Sequence, residues 1–449
     1  MKNEIVKISA NAKINLLLDV KRRRGDGYHE LEGIMQEISI ADDITLSPED
    51  GIVIVSDAKL PLNNTCRRAA EVFLGDSGLG VRIEVKKRIP SEAGLGGASA
   101  DAAAVLKGLN ELYRGTALER SREALSRLGL KVGADVPFCL TGGCAIARGV
   151  GERLTPINGL RLPLLIVRGP RGVSTGRLFS SLGVGGAEQS RIHEAALENA
   201  LCAIERSDAE ALARELENAL QPAAERIAPE IGEYVERMKQ NGALGACMTG
   251  SGAAVFGIFA DEGAAGEAEK AFADCDFSRV CCALPHPGVM PVLFRRGGVS
   301  DAPLTARLRR EAWETTYRGI YPDEAFDNYS FSEKAARDAE RFKSPDFTGY
   351  IIEAEGRPIG YLFIRERSLP HIEALYLLKE YRGRGIGGQA FDIVREYCRE
   401  KGFSQFTCSC NAHNKPALGF YERMGGRAIK SDMGHLNRQE DQVTLEFRV

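Results

Sequence analysis

Two glycine-rich segments of unrelated kinds stand far apart in this sequence, Ala93-Gly94-Leu95-Gly96-Gly97-Ala98-Ser99 and Arg382-Gly383-Arg384-Gly385-Ile386-Gly387. Each follows an apolar, strand-like run and opens an amphipathic, helix-like run. That placement turns backbone N–H groups and a helix N-terminus toward an anion, so both read as phosphate cradles. Two cradles imply two phosphate-bearing ligands and two activities on one polypeptide. The first lacks the Gly-Lys-Ser/Thr ending of a P-loop, and Ser99 stands where a GxGxxG fingerprint needs its third glycine. Taken alone, it is equally a phosphate nest or a tight structural turn.

Two charged residues sit in apolar surroundings. Lys13 lies inside Ala12-Lys13-Ile14-Asn15-Leu16-Leu17-Leu18, and Asp135 inside Gly133-Ala134-Asp135-Val136-Pro137-Phe138. A cation in an apolar strand is costly unless it is paired or reaches solvent from an edge. Paired with each other, Lys13 would keep Asp135 ionised and Asp135 could accept a hydroxyl proton.

The elements that must position these groups are legible in outline. Ile5–Val20, Ile52–Ser56, Val81–Val85 and Cys144–Arg148 read as strands, and Ala98–Tyr113 and Arg120–Leu128 as helices. A second lobe begins near the apolar strand 162–167. Helical stretches then fill about 187–240 and stop at Asn241-Gly242. Met248-Thr249-Gly250-Ser251-Gly252 is a glycine turn feeding a strand. Pro285-His286-Pro287-Gly288 marks the clearest boundary. Beyond it come a strand at Val292–Arg295, a helix over Asp301–Tyr317 capped by Asp301, and a hairpin of Tyr350–Ala354 with Ile359–Arg365 joined through Glu355-Gly356-Arg357-Pro358. Then follow strand Ile372–Leu378, helix Gly387–Lys401 and strand Gln405–Cys410.

Composition sets the outer bounds. At 449 residues the prior is about three folding units, and 44% apolar with 27% charged residues is ordinary for globular domains. A net charge of −3 points to no nucleic-acid or membrane surface. No apolar run reaches the roughly 18 residues of a spanning helix, and the first strand lacks a signal peptide's features, so the expected location is cytoplasmic. The eleven cysteines are scattered without metal-ligand pairs and read as buried free thiols. The six histidines show no HExxH spacing, so no protein-held metal is expected.

Residues 5–289 resemble the GHMP kinase superfamily. The matching segments stand in order: Asn11-Ala12-Lys13-Ile14-Asn15-Leu16, Arg24-Gly25-Asp26-Gly27-Tyr28-His29-Glu30-Leu31, the loop at 90–101, Gly133–Phe138 running on to Gly149-Val150-Gly151-Glu152, and Thr249–Phe256. The Gly-Tyr-His-Glu-Leu segment marks the branch whose substrate is a cytidine diphosphate-linked methylerythritol. The resemblance implies that Lys13 and Asp135 are catalytic. It also implies that Gly94, Leu95, Gly96, Gly97, Ala98 and Ser99 hold the ATP triphosphate, with Mg2+ carried by the phosphates. Tyr28 would stack on the cytosine, His29 would hydrogen-bond it, and Phe179 would cover its other face. Asn15, Thr249, Gly250, Ser251 and Gly252 would complete the substrate site. From the residues alone, Tyr28 and Phe179 are ordinary core aromatics. Relatives in that superfamily branch commonly carry two serines after the glycines, whereas Ser99 is followed here by Ala100. A lost hydrogen bond to a charged group is worth about 1.5–3 kcal/mol. Another small alcohol remains the alternative substrate.

Residues 291–449 resemble the GCN5-related N-acetyltransferase (GNAT) family, through Ile372-Glu373-Ala374-Leu375-Tyr376-Leu377, then Tyr381–Gly387, then Asn414-Lys415-Pro416-Ala417-Leu418-Gly419-Phe420-Tyr421. The resemblance implies acetyl-CoA as cofactor. Arg382, Arg384, Gly385, Ile386 and Gly387 would hold its pyrophosphate, strand amides near Tyr376–Leu378 its thioester, and Asn414 would fix the loop before the helix. Tyr421 would be the general acid and Glu373 a candidate base. Trp313, Tyr317 and Tyr321 are either acceptor-pocket walls or core. The alternative is a non-catalytic acyl-CoA-binding or interaction module. The expected architecture is α+β: a two-lobed GHMP kinase fold (1–155 and 156–289) followed by a GNAT-fold α/β domain with a central mixed sheet (290–449). The amine acceptor and the oligomeric state are not legible in the sequence.

Overall fold

The computed structural model describes residues 4–449 apart from 26, 175, 177, 179–191, 193, 194 and 289. Phe179, expected against the cytosine, therefore lies outside the described residues. The chain divides into two compact units. The larger is Ile8–Pro291, and the smaller is Val292–Val449 with the described residues of Met1–Lys7.

In the larger unit, β1 (Glu4–Arg23) is buried almost continuously from Val6 to Val20. A strand covered on both faces reads as an apolar run, which makes its buried polar members Asn11, Lys13, Asn15 and Asp19 conspicuous. β2 (His29–Pro48) neighbours β1. Its first half pairs antiparallel with β5 (Cys144–Gly149) and its second half with β4 (Val81–Lys86). β3 (Ile52–Ser56) runs parallel to β4, and β6 (Arg153–Ile157) closes a hairpin with β5. The helices Thr65–Leu74, Gly97–Leu112, Arg122–Val132 and Val136–Thr141 belong to this lobe. A Cβ at Gly108 would come within 2.5 Å of Leu46, so glycine lets the Gly97–Leu112 helix lie close on β2.

A second, wholly antiparallel sheet follows, in the order β11-β7-β10-β9. Its strands are β7 (Pro163–Arg168), β9 (Gly245–Met248), β10 (Val255–Ile258) and β11 (Phe277–Cys282). The stretch expected to be helical up to residue 240 is broken. Its described part holds helices Ala196–Glu205, Ala209–Arg214, Gln221–Glu225 and Glu230–Gln240. Between them β8 (Glu217–Asn218) adds in parallel to β1 at Leu17 and Leu18. The expected stop holds: Asn241 caps the last helix and Gly242 follows at φ +92°.

In the smaller unit, β12 (Val292–Arg296), β13 (Phe347–Ala354), β14 (Arg357–Arg365) and β15 (His371–Leu377) form an antiparallel meander. The Ile386–Lys401 helix crosses over to β16 (Gln405–Asn411), parallel to β15. β18 (Gln442–Arg448) pairs antiparallel with β16 and with β17 (Arg427–Asp432), completing a mixed sheet. Residues Glu4–Lys7 pair with Val292–Arg295 and cover that edge, and Lys7 bonds Glu396 at 2.8 Å. Glu355 and Gly356 both take positive φ, as a two-residue hairpin turn requires, so the β13–β14 loop is shorter than expected. Asp301 does stand at the N-cap of helix Ala302–Thr316, but its carboxylate makes no bond to that helix. It is bound by Arg295 and by the Gly298 amide, so it braces the preceding turn.

The Ala302–Thr316 and Phe331–Lys343 helices are joined by a buried ion pair. Arg309 and Asp338 lie 2.7 Å apart, and Thr305 also donates to Asp338 at 2.8 Å. Removing one partner leaves an uncompensated buried charge. Asp338→Ala should therefore cost about 3–5 kcal/mol. Trp313, the single tryptophan, lies in this unit, so its fluorescence in a urea titration reports the loss. A loss below about 1 kcal/mol would contradict the assignment, being the worth of an exposed pair.

Candidate active sites

In the larger unit the glycine loop is fastened between two strands. The Lys13 amide donates to Leu95 O at 3.0 Å, and the Ala254 amide to Ala93 O at 3.1 Å. Gly94 takes φ +72°, and a Cβ there would lie 2.2 Å from the Thr249 carbonyl oxygen. A Cβ at Gly250, at φ +56°, would in turn lie 2.7 Å from the Gly94 carbonyl oxygen. These two turns touch backbone to backbone, which only glycine permits. Gly96 at φ +70° caps the Gly97–Leu112 helix without a capping side chain, and the first turn carries no acid. That leaves a helix N-terminus unneutralised, as an anion site requires. The loop thus fits a nucleotide's phosphates.

Lys13 is 4% exposed. Its ammonium donates to Asn15 Oδ1 at 2.7 Å and lies 3.5 Å from Asp135 Oδ2. The Asn15 amide in turn donates to Thr249 Oγ1 at 3.0 Å. Asn218, unremarked in the sequence, braces the Thr249–Gly252 turn: its side-chain amide donates to Met248 O and Gly250 O, each at 2.8 Å. Asp135 opens the Val136–Thr141 helix, but its carboxylate makes no capping bond and remains a third exposed. Lys13, Asn15, Asp135, Tyr28, His29, Gly94–Ser99 and Gly250–Gly252 all line one cavity of about 1220 Å³. Pockets for one drug-sized ligand run to about 300–1,000 Å³, so this cavity is larger than a usual single-ligand pocket. Tyr28 is 63% exposed and so is no core aromatic. Burial, then the Arg23 charge, lower the pKa of His29, which favours a neutral ring able both to donate and to accept. Ala100 is buried and off the lining, whereas Ser99 is on it. Met35, Val150 and Leu220 also line the cavity; as isolated apolar residues they carry no signal in the sequence.

The smaller unit holds the second site. β15 and β16 pair only at His371↔Thr407 and Ile372↔Cys408, although both run on to Leu377 and Asn411. The pairing of β15 with β14 skips Glu373, a bulge that twists the strand at the point of divergence. The diverging strands leave backbone groups facing a gap. The Tyr421 phenol is within electrostatic reach of Cys408, Cys410 and Tyr376, which flank that gap. Burial, then these neighbours, push its pKa well above the usual tyrosine range.

Gly385 at φ +79° caps the Ile386–Lys401 helix, again without a capping side chain or an acid in the first turn. Gly387 allows close packing, since a Cβ there would lie 2.9 Å from Phe420. Arg384 places its guanidinium 5.6 Å over the Tyr381 ring. Arg382 is committed elsewhere, donating to Leu377 O at 2.9 Å and to Thr315 Oγ1 at 3.2 Å. Asn414 caps the Lys415–Arg423 helix through Ala417 N at 3.3 Å. Glu373 is held by Arg341 at 2.6 Å. Tyr317 and Tyr321 stack at 4.3 Å with Trp313 edge-on to both, and both phenols face Tyr376 and Cys410 beside the gap.

Gly94→Ala combines a left-handed φ with a carbonyl clash, and backbone strain of this kind costs about 1–3 kcal/mol. The expected result is a fall of about tenfold or more in affinity for an ATP analogue, read by titration, since 1.4 kcal/mol is tenfold. Unchanged affinity would mean that the loop does not carry the phosphates.

Comparison with known proteins agrees with this geometry. Residues 64–143 match the family model "GHMP kinases N terminal domain", 200–276 "GHMP kinases C terminal", and 306–426 "Acetyltransferase (GNAT) family". A 4-diphosphocytidyl-2-C-methyl-D-erythritol kinase of Alkaliphilus metalliredigens is 42% identical over 268 residues, 58% of this chain and 90% of that one. The Shouchella clausii kinase of the same name is 41% identical over 263 residues, 57% and 86% of the two chains. A crystal structure of 4-(cytidine 5'-diphospho)-2C-methyl-D-erythritol kinase superposes with TM-score 0.53 at 35% identity, covering 62% of this chain and 99% of that one. Among the described residues no helix is long and apolar enough to cross a membrane. With two glycine-built cradles, an ammonium–carboxylate pair in the larger cavity and this kinship, the chain belongs to the 4-diphosphocytidyl-2-C-methyl-D-erythritol kinase family and carries behind it a domain of the acetyltransferase (GNAT) family.

Proposed function

We propose that residues 1–289 catalyse ATP-dependent phosphorylation of the 2-hydroxyl of 4-diphosphocytidyl-2-C-methyl-D-erythritol, and that residues 290–449 transfer an acetyl group from acetyl-CoA to an amine. The observation that carries the first part is the 3.5 Å Lys13–Asp135 pair, set beside the glycine loop in a cavity of about 1220 Å³. The relatives named above support the choice of alcohol.

ATP would supply the phosphoryl group, and Mg2+ carried with it would neutralise phosphate charge. The Gly94–Ser99 amides and the open helix end hold those phosphates. Tyr28 stacks on the cytosine and His29 hydrogen-bonds it. Asp135 takes the proton as the hydroxyl oxygen bonds to the γ-phosphorus and the bond to the β-phosphate oxygen breaks. Lys13 orients the hydroxyl and offsets the charge that develops on the transferring group. Positioning and electrostatics supply most of the acceleration in such reactions. In the second domain the Gly385–Gly387 amides and Arg384 hold the CoA pyrophosphate, and β15 amides in the strand gap orient the thioester. Tyr421, protonated across the working pH range, donates to the departing thiolate.

Losing a general base costs about 100- to 10,000-fold. Asp135→Asn should lower kcat for phosphorylation by that much with little change in the alcohol's KM. A kcat within threefold of the native chain would remove Asp135 from the chemistry. Tyr421→Phe should slow amine-dependent release of CoA while leaving acetyl-CoA binding intact. An unchanged release rate would point to a binding module.

A further inference from the structure

A second charged cluster borders the kinase cavity, and the mechanism above makes no use of it. Asp42 comes from β2, Lys87 from the end of β4, and Asp101 from the Gly97–Leu112 helix, one turn past the glycine loop. Lys87 bonds the Asp42 carboxylate and lies 2.7 Å from Asp101 Oδ2. Asp42 is fully buried and well satisfied, since it also accepts the backbone N–H groups of Arg88 and, at 2.8 Å, Ile89. Asp101 is 3% exposed, and its Oδ1 has no partner among the described residues. Lys87 and Asp101 both line the cavity.

Two buried carboxylates thus share one ammonium. The other groups around them do not restore the balance. Arg88 turns its guanidinium to Asp43. The Cys66 thiol, from the Thr65–Leu74 helix, is kept protonated by burial. Lys59 lines the same cavity without an ion pair to Asp101 among the described residues. Burial pushes the Asp101 carboxyl up to about 7; Lys87 opposes that rise and Asp42 adds to it. The cavity therefore receives its polyanion beside a cluster that is neutral with the proton and carries a net negative charge without it.

We propose that the Asp42–Lys87–Asp101 cluster takes up one proton when a nucleoside triphosphate binds, which makes Asp101 a positioning residue that favours the polyanion in its neutral form. This rests on the reading of the cavity as an ATP site. The sign follows from linkage. An incoming anion raises the proton affinity of Asp101, so by reciprocity the protonated cluster binds the anion more tightly. Affinity is full below about pH 7 and falls as pH rises through it, by up to about tenfold per unit for one proton.

Calorimetric titration of the full chain with the magnesium complex of a non-hydrolysable ATP analogue tests this. It is run near pH 7.5 in two buffers of different ionisation heat. The native chain should take up about half to one proton more than Asp101→Asn. Asp42→Asn leaves one carboxylate per ammonium, and should move the pH at which affinity drops down by about one unit or more. Infrared difference spectra of the native chain need no variant: analogue binding should add a protonated carboxyl band. Analogue binding without proton uptake, or without that band, would overturn the inference and leave the kinase reading standing. No binding of the analogue at all would overturn both.

Discussion

Lys13 is an ammonium in the middle of a strand buried on both faces, and such a charge is tolerable only while its partners stay in place. Asn15 supplies one partner from two residues along the same strand. Asp135 supplies the other from the start of a separate helix. The phosphate loop must then come down onto the same side chain. A Cβ at Gly96, which takes φ +70°, would lie 3.0 Å from Lys13 Cγ, so glycine there lets the loop close over the lysine without displacing it. The Leu95 carbonyl ties the loop to the strand, and the Thr249–Gly252 turn, braced by Asn218, holds it from behind. The glycine loop, Asp135 and the Thr249–Gly252 turn are positioned by one requirement, that of keeping a buried cation compensated.

The acetyltransferase domain solves the opposite problem. Its candidate site is a place where a sheet stops pairing. The bulge at Glu373 twists β15 away from β16 after two residue pairs, and the ladder groups left over face the gap. Buried backbone groups of this kind need a partner, and an acyl-pantetheine chain can be one. The two sites nonetheless share a device. Each anion cradle ends in a left-handed glycine at the helix N-cap, with no capping side chain and no acid in the first turn. The helix end stays unsatisfied so that a phosphate can complete it.

Much of this was legible because the signals are local. β3 has the bounds expected from its apolar run, and the glycine loops and the Asn241-Gly242 stop fall where turn chemistry places them. The readings that missed involve groups whose partners lie far along the chain. No strand is expected over His29–Pro48, whose buried positions include Gln36, Glu37 and Asp42, polar residues that read as solvent-facing until Gly143, Gly288 and Lys87 are brought to them. Arg382 reads as an anion ligand, but the local turn directs it to Leu377 O. Asp301 stands at a cap position, and Arg295 claims its carboxylate. The roles of Lys13, Asp135 and Tyr421 came from resemblance to the two families. What the fold adds is the environment, a partly exposed carboxylate beside a buried ammonium and a phenol held protonated beside a strand gap.

The central claim is that the Lys13–Asp135 cavity phosphorylates an alcohol attached to a cytidine diphosphate. Phosphorus NMR of the intact chain with Mg2+, ATP and 4-diphosphocytidyl-2-C-methyl-D-erythritol tests it most directly. The account predicts one new phosphomonoester signal, formed in step with ADP, while the diphosphate resonances of the substrate persist. Steady production of ADP with inorganic phosphate and no such monoester would contradict it.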